Sequence, residues 1–243
     1  MPKHHNRRVF SLFSGLAISL AITLPAQAQS LDDQLLARLA SVAPKLNPEV
    51  LEAAFKATHC AIANGVAMPE RLAVIDFSLH SSQERMWIFD LEQGDLLLRD
   101  LVAHGRNSGN EAATTFSNIE GSYQSSLGLF KASESYRGMH GYSLRLDGLE
   151  PGINDLARQR AIVIHGADYV NSNWVDQYGR IGRSHGCPAV DQKVVQTVVD
   201  NLKGGQLVFK YYPDQNWLQT SSFLNCDSTT QVAGNRATGS GNS

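Results

Sequence analysis

The stretch from Ala161 to Val190 constrains the fold of this chain more than any other part of the sequence. It opens with an apolar, β-branched run, AIVI, which predicts a buried strand. That strand ends at His165, and Gly166 follows it directly. A polar loop then leads to the turn Ser184-His185-Gly186-Cys187, and a helix-like run begins at Asp191. The fold must therefore bury a strand that ends in an imidazole and place a cysteine in a glycine-rich turn before a helix.

The remaining sequence predicts many short strands separated by glycine turns. Apolar and alternating runs typical of strands cover Leu72–Phe77, Arg85–Phe89, Leu96–Ala103, Leu127–Lys131, Tyr142–Leu146, Ala161–Ile164 and Gln206–Tyr212. Helical spacing of apolar residues predicts helices over Leu31–Ala43, from Asn47-Pro48 to Asn64, and over Asp191–Leu202. The pattern favours a mostly β fold: a curled, sandwich-like sheet of mixed or antiparallel strands with a few helices, two of them N-terminal.

The first 28 residues have the composition of a signal peptide. A basic start precedes the apolar segment Val9–Leu24, and Ala26-Gln27-Ala28 forms a small-residue cleavage site. A retained anchor helix is the alternative, but the apolar run is short for a membrane span and no lipid-accepting cysteine follows it. The sequence therefore predicts export across a bacterial inner membrane, with no stable membrane anchor after cleavage.

The charge balance argues against one class of partner. The chain has 23 acidic and 21 basic residues. Cleavage would remove three bases, Lys3, Arg7 and Arg8, and no acid, which changes the formal net charge from −2 to −5. A mildly acidic exported protein has no electrostatic basis for binding nucleic acid.

Three cysteines remain after the predicted cleavage: Cys60, Cys187 and Cys226. An odd number in an oxidising compartment suggests one disulfide and one free, working thiol. Cys187 lies in the glycine-rich turn, so the predicted pair is Cys60 with Cys226. Two unpaired thiols remain the alternative.

Cys187 has the sequence context of a nucleophile. The thiolate is the reactive form of cysteine, and both a nearby imidazole and a helix N-terminus favour it. Gly186 permits a tight or positive-φ backbone, Pro188 fixes the exit of the chain, and backbone N–H groups in such a turn can form an oxyanion hole. A buried structural cysteine is the alternative, which the glycine and polar neighbours disfavour.

His165 is the predicted general base, because a neutral imidazole can take the thiol proton when its other nitrogen is held by an acceptor. His185 is the rival base, but it lies only two residues from the cysteine and is assigned a supporting role. Ser184 either bonds within the site or only forms the turn. His104 and His140, in glycine-containing loops, either line a pocket or are ordinary surface histidines. A zinc site among these histidines and Cys187 is the minority reading, since the spacings match no metal signature.

The His165-Gly166 pair and the SHGC turn together resemble the YkuD-type L,D-transpeptidases of bacterial cell walls. The resemblance extends over about Leu72 to Tyr212 and includes the upstream runs Ser125–Phe130, Gly138–Leu146 and Gly148–Asn154, which are similar to a divergent murein L,D-transpeptidase branch. Two features depart from the main family. His165 and Cys187 are 22 positions apart, which is a longer loop, and Pro188-Ala189 follows the cysteine.

The resemblance implies the L,D-transpeptidase catalytic fold and a covalent mechanism on peptidoglycan stem peptides, without metal or organic cofactor. Cys187 would form a thioester with release of D-alanine and then transfer the acyl group to an acceptor amine. The Gly166 carbonyl or a neighbouring group would orient the imidazole, and the N–H groups of Gly186 and Cys187 would hold the oxyanion. The loop from Asp168 to Arg183 would shape the groove. The expected substrate-binding residues are His140, Trp174, Tyr178 and Arg183, with packing against the sheet as the alternative for the two aromatic rings.

The signal peptide, the helical spacing, the range of the resemblance and the tail composition together predict a domain organisation and a localisation. The expected parts are a signal peptide (1–28), an N-terminal helical segment (29–70), a catalytic domain (71–213) and a C-terminal extension (214–243), disordered from about residue 227. The protein is expected in the periplasm or otherwise exported, and its oligomeric state is left open.

Three other functions compete with the transpeptidase: an L,D-carboxypeptidase or endopeptidase that uses water, a wall-binding module without catalysis, and a zinc peptidase.

Overall fold

The structure is a computed structural model that describes residues 25–226, with side chains from residue 32 onward. The predicted n- and h-regions of the signal peptide and the tail predicted to be disordered lie outside this part of the chain. The helices are α1 (Pro25–Val42), α2 (Pro48–Ala63), α3 (Ser172–Tyr178), α4 (Val195–Leu202) and α5 (Gln215–Thr220). The strands are β1 (Arg71–Asp76), β2 (Met86–Asp90), β3 (Asp95–Asp100), β4 (Gly128–Gly138), β5 (Gly141–Gly148), β6 (Val163–Gly166), β7 (Ala189–Val190) and β8 (Leu207–Tyr211).

The strands form one mixed sheet in the order β3-β2-β1-β8-β4-β5-β6-β7. The pairs β1–β8 and β6–β7 are parallel, and the other neighbours are antiparallel. Beyond the end of β3, Ala103 forms an antiparallel bridge with Ala189 of β7. This bridge brings the two ends of the sheet together, so the sheet curls into a nearly closed, barrel-like shape. The prediction of a mostly β, curled and mixed fold with a few helices is confirmed.

The central strands are apolar on both faces, which explains why they read as continuous apolar runs. All five residues of β2 are buried, and β8 buries Leu207 to Lys210. The helix α2 joins the same core through Val50, Leu51 and Ala54. It begins as predicted: the side chain of Asn47 accepts a hydrogen bond from the Glu49 N–H, and Pro48 occupies the first turn.

Several element boundaries differ from the prediction. Helix α1 begins at Pro25 rather than Leu31. Helix α4 begins at Val195 rather than Asp191, because the Asp191 side chain first caps a turn by accepting from the Lys193 N–H at 2.8 Å. Strand β3 ends at Asp100, since the chain beyond it leaves β2 for the bridge to β7.

Helix α3 lies in the segment that was predicted to be a polar loop. Helix α3 has no buried residue, so no apolar stripe marks it in the sequence. Its signal is at its ends: Asn171 caps it by accepting from the Trp174 N–H, and Gly179 closes it at φ 72°. Among residues 25–226, no helix combines the length and the apolar character that a membrane span requires.

Candidate active site

The turn that carries Cys187 is fixed by its own side-chain hydrogen bonds. The Ser184 hydroxyl donates to the Cys187 carbonyl at 2.5 Å, and the Gly186 N–H donates to the Ser184 hydroxyl at 3.1 Å. Gly186 has φ 116°, and a Cβ there would lie 2.8 Å from the Gln124 carbonyl oxygen. Only glycine satisfies both conditions without strain. Ser184 therefore shapes the turn, and the Gly186 N–H, one of the two predicted oxyanion donors, is already bonded.

A second serine, which the sequence analysis did not single out, supports the turn from the neighbouring segment. The buried Ser125 hydroxyl donates to the Gly186 carbonyl at 3.2 Å and accepts from the Gly105 N–H at 3.0 Å. Its sequence signals were the paired serines Ser125-Ser126 before an apolar strand and the place of this run within the family resemblance. Ser125 thus ties the cysteine turn to the chain that follows β3.

The Cys187 thiol is half-buried beside the start of β6. Its Sγ accepts from the Val163 N–H at 3.5 Å and donates to the Ala161 carbonyl at 3.7 Å. Burial raises the pKa of Cys187, and the Val163 N–H together with the positive charges of Lys210 and Arg160 opposes this rise. The resting thiol is therefore protonated by preference, but it lies among groups that stabilise its anion.

His165 lies in β6 between β5 and β7, with Ser143 and Ala189 as its cross-strand partners. Its Nδ1 lies 2.9 Å from the Gly166 carbonyl oxygen. A carbonyl only accepts, so Nδ1 carries the proton and the lone pair of the neutral ring is on Nε2. Burial lowers the pKa of His165, as does the nearby His140, while the bond to Gly166 acts in the opposite direction. The imidazole is therefore neutral near pH 7, in the state a general base requires.

The parallel pairing of β6 with β7 relates the two candidate residues. His165 in β6 lies opposite Ala189 in β7, and Cys187 precedes Ala189 by two residues. Within residues 32–226, no hydrogen bond joins the two side chains, since the thiol points to the Ala161 carbonyl. In this arrangement the thiol hydrogen bond is directed to the backbone rather than to the imidazole. Loose hydrogen bonds of this kind are common in catalytic sites without substrate.

A cavity of about 390 Å³ opens beside His165. It is lined by Met139, His140, Gly141, His165, Gly166, Ala167, Asp168, Tyr169 and Gln192. The ring of His140, at the tip of the β4–β5 hairpin, stacks on that of His165 with the centroids 4.5 Å apart. Burial raises the pKa of Tyr169 to about 12, and the charge of Cys187 adds to this rise. Tyr169 thus connects the cavity electrostatically with the thiol.

The other predicted side chains lie outside the lining of this cavity. His185 is exposed and its ring contacts Tyr123, with the centroids 4.6 Å apart. Arg183 donates from Nη1 to the carbonyls of Arg106 and Gly109, both at 3.0 Å. Trp174 and Tyr178 contact each other on α3, with ring centroids 4.8 Å apart. Trp174 comes nearest to the cavity, through an edge contact with Tyr169 at 6.4 Å.

His104 was one of the candidates for lining a pocket, but its side chain is fully buried and contacts Arg85 and a backbone carbonyl instead. Its Nδ1 lies 2.7 Å from Nη2 of the buried Arg85, and its Nε2 lies 3.3 Å from the Gly109 carbonyl. Burial and the charge of Arg85 lower the pKa of His104 to about 3. Its own carbonyl accepts from the Ser184 N–H at 2.9 Å, so this histidine anchors the start of the cysteine turn.

The structure joins Cys60 of α2 to Cys226 in a disulfide, and Cys187 is the free cysteine of the described chain. The pair links residues 166 positions apart, near the two ends of the described part. Among residues 32–226, no group of three or more His, Cys, Asp or Glu side chains is arranged to hold a metal ion.

Comparison with known protein families gives one match that covers most of the chain. A family model described as the L,D-transpeptidase catalytic domain matches residues 42–211. No curated protein matches the sequence. The matched range begins before β1 and thus includes α2, which the sequence analysis placed in a separate N-terminal segment.

Solved structures of L,D-transpeptidases are distantly similar. An L,D-transpeptidase from Mycobacterium smegmatis has 14% identity and a TM-score of 0.37, and the match covers 59% of each chain. One from Stackebrandtia nassauensis has 11% identity and a TM-score of 0.38 over 73% of this chain and 76% of that chain. One from Xylanimonas cellulosilytica has 17% identity and a TM-score of 0.35 over 59% and 61%. The chain thus spans less than two thirds of the Mycobacterium smegmatis structure.

Proposed function

The chain belongs to the L,D-transpeptidase catalytic-domain family, and on that premise we propose that it is an exported cysteine acyltransferase acting on peptidoglycan stem peptides. The observation that carries this proposal is the arrangement on β6 and β7. A neutral imidazole, oriented by the Gly166 carbonyl, lies one strand away from the only free thiol of the described residues. An oriented base and a free thiol on adjoining segments support the roles of general base and nucleophile that we propose for them.

In the acylation step, Cys187 transfers its proton to Nε2 of His165 and Sγ attacks a carbonyl of the stem peptide. That carbonyl joins the L-centre of diaminopimelate to a terminal D-alanine. The oxyanion accepts a hydrogen bond from the Cys187 N–H, which has no acceptor among the described residues. His165 then gives the proton to the nitrogen of the leaving D-alanine, and the acyl group remains on sulfur as a thioester.

In the second step, an acceptor amine attacks the thioester carbonyl while His165 takes a proton from the amine. The thiolate leaves and recovers a proton from the imidazole, which restores the starting state. Water in place of the amine would give an L,D-carboxypeptidase or endopeptidase. The cavity next to His165 is open to solvent at the exposed His140, and we propose that it receives part of the stem peptide.

The first test of this proposal is covalent trapping. The family resemblance implies that a carbapenem acylates the thiolate, so imipenem should add its mass to the mature protein in intact-mass spectrometry. The Cys187→Ala variant should gain no mass. Wild-type protein that gains no mass from imipenem, and whose thiol also fails to react with a simple alkylating reagent near pH 7, would rule out Cys187 as the nucleophile.

The second test separates transfer from hydrolysis. Purified muropeptides are incubated with the protein, and the products are resolved by mass. Crosslinked dimers with release of D-alanine support the transpeptidase, whereas trimmed monomers alone support the hydrolase. Activity of Cys187→Ala equal to that of the wild type would contradict both. Binding to cell-wall sacculi without any product in the wild type would favour the wall-binding module.

A further inference from the structure

Lys210 is a lysine in an environment built for an apolar residue. It lies in β8, between β1 and β4, where its cross-strand partners are Ile75 and Gly128. Its side chain is fully buried, and its Nζ has no hydrogen-bond partner. The amine lies over the ring of Phe130, with Nζ 3.6 Å from the ring centroid. An aromatic face attracts a cation, but it does not replace the hydrogen bonds that the ammonium group loses on burial.

The nearby carboxylates do not pair with this amine. Asp76 in β1 is bonded to the N–H and the hydroxyl of Ser78. It is adjacent to Ile75, and alternation along the strand places the two side chains on opposite faces. Glu150, which accepts from the Leu129 N–H of β4, is bonded on its other oxygen to Ser221. Among the residues that the structure describes, the buried amine of Lys210 therefore has no carboxylate as a hydrogen-bonded counterion.

Two other groups act on Lys210 electrostatically: Arg160 and Cys187. Arg160 is a permanent cation, and its guanidinium is held by the carbonyls of Ser117 and Gln124, both at 2.6 Å. The influence is mutual, because the charges of Lys210 and Arg160 both favour the Cys187 thiolate. Of these three side chains, only Cys187 can become an anion.

We infer that Lys210 is a positioning residue of the reaction, whose buried ammonium is the countercharge of the Cys187 thiolate. The inference rests on the proposed role of Cys187 as nucleophile. Packing alone does not explain this buried amine, because an apolar side chain of the same length would fill the space without the free-energy penalty of burying an unpaired charge. A role as countercharge does explain it.

The charge states of the two groups are linked. Burial and the charge of Arg160 lower the pKa of Lys210 and the thiolate raises it, with a net result of about 7. Near neutral pH, therefore, loss of the Cys187 proton to His165 favours uptake of a solvent proton by Lys210. Formation of the uncharged thioester removes the anion, and Lys210 then releases that proton to solvent. Each group favours the charged state of the other to the same extent, as linkage requires.

The test measures the rate at which iodoacetamide alkylates Cys187 as a function of pH. In Lys210→Met, the thiol should titrate at higher pH and react about tenfold more slowly near pH 7, the effect of a pKa shift of about one unit. Lys131→Met is the matched control, because Lys131 lies in the adjacent β4 and is exposed. It should react like the wild type, and Lys210→Arg, which keeps the charge, should recover most of the rate.

A purely structural role for Lys210 would give the opposite pattern. Lys210→Met would then lose thermal stability while the pH profile of alkylation matched that of the wild type, and this result would overturn the inference. On our proposal, the melting temperature of Lys210→Met is equal to or above that of the wild type, since a buried unpaired charge has been removed.

A second measurement uses the wild-type protein and follows the titration of Lys210 itself. NMR of lysine labelled with ¹³C at Cε in the wild type should show one lysine that titrates near pH 7. Alkylation of Cys187 prevents formation of the thiolate, so it should remove the part of the lysine protonation that persists at the alkaline pH where the thiolate forms. A lysine that titrates identically before and after alkylation would refute the coupling. A wild-type thiol that no reagent alkylates at any pH would instead refute the nucleophile, and with it both proposals.

Discussion

At the scale of single residues, the environment of His165 determines the pH range in which the site can work. The ring is buried, bonded to a carbonyl at Nδ1 and stacked against His140. Burial and the neighbouring imidazole both disfavour its protonated form and lower its pKa. Because the base acts in its neutral form, activity should persist below pH 6.5, the ordinary pKa of histidine.

Replacement of His140 tests this reasoning. His140→Ala removes the charge that opposes protonation of His165 and also uncovers its ring, and both changes raise the pKa of His165. The acid limb of the kcat/KM profile should therefore move to higher pH, with a smaller change at the alkaline optimum. His185→Ala is the control and should leave the acid limb in place, because His185 contacts Tyr123 instead. An acid limb that His140→Ala does not move would show that His165 is not the titrating base.

The sequence indicated candidate residues for the site, but it did not indicate the hydrogen-bond partners of those residues. Cys187, His165 and the Gly166 carbonyl could be proposed from residue type, from glycine neighbours and from family resemblance. The bond that occupies the Gly186 N–H could not, because it depends on the rotamer of Ser184 within a folded turn. The burial of Lys210 was partly visible, as a lysine in the continuous apolar run LVFK. Its lack of a partner depends on three strands at once, and no local pattern contains that information.

At the scale of elements, the chain after β3 acts as a support for the cysteine turn. Ala103 bridges to β7, Gly105 bridges to Ser184, and His104 lies between them with Arg85 beneath it. The sequence predicted a longer strand here, since LLLRDLVA reads as one apolar run. The bend away from β2 follows from the bridges to Ala189 and Ser184, which lie 86 and 79 positions after their partners in the chain. Strand patterns cannot reveal such distant pairings.

The buried His104 should make this support sensitive to acid. Its pKa is about 3 in the folded chain and about 6.5 when unfolded, so the unfolded state binds the proton more readily. Stability is therefore retained above pH 6.5 and lost as the pH falls toward 3. Acidification from pH 6.5 to pH 4 should cost on the order of 3 kcal/mol through His104.

Denaturant unfolding at several pH values measures this contribution. His104→Gln keeps one acceptor for Arg85 and one donor for the Gly109 carbonyl but does not titrate. Its free energy of unfolding should fall less steeply between pH 6.5 and pH 4 than that of the wild type. Equal slopes for the two proteins would mean that His104 is protonated without loss of the folded state.

At the scale of the whole molecule, the sheet and the two ends of the described chain form one unit. Helix α2 packs into the core of the sheet, and the Cys60–Cys226 disulfide ties it to the C-terminal side. The mostly β class was predictable because the central strands are apolar on both faces. The barrel-like closure was not, because it depends on a two-residue strand, β7, and on single bridges that are too short to leave a sequence pattern.

Loss of the disulfide should affect stability without affecting the thiol chemistry. A crosslink over 166 positions restricts the unfolded chain strongly, so Cys226→Ser should lower the free energy of unfolding by about 2–5 kcal/mol. The rate of Cys187 alkylation in the folded variant should equal that of the wild type.

Thiol labelling tests the pairing itself. Labelling of the wild type before reduction should modify one cysteine, and reduction under denaturing conditions should add two. Three labelled cysteines without reduction would contradict the pairing.

The parallel register of β6 and β7 has a consequence for how such a site can diversify. Gly166 and Val190 are cross-strand partners, so the chain between them leaves the sheet and returns to it at the same point. His165 lies directly before this excursion, and Cys187 lies near its end. Helix α3 lies between them and has no buried side chain. Insertions, deletions or exchange of the segment around α3 would leave the reacting groups in their places. On the proposed function, the reaction and its acceptor preference can therefore diverge separately, and the excursion is the segment to exchange between family members when acceptor preference is to be redesigned.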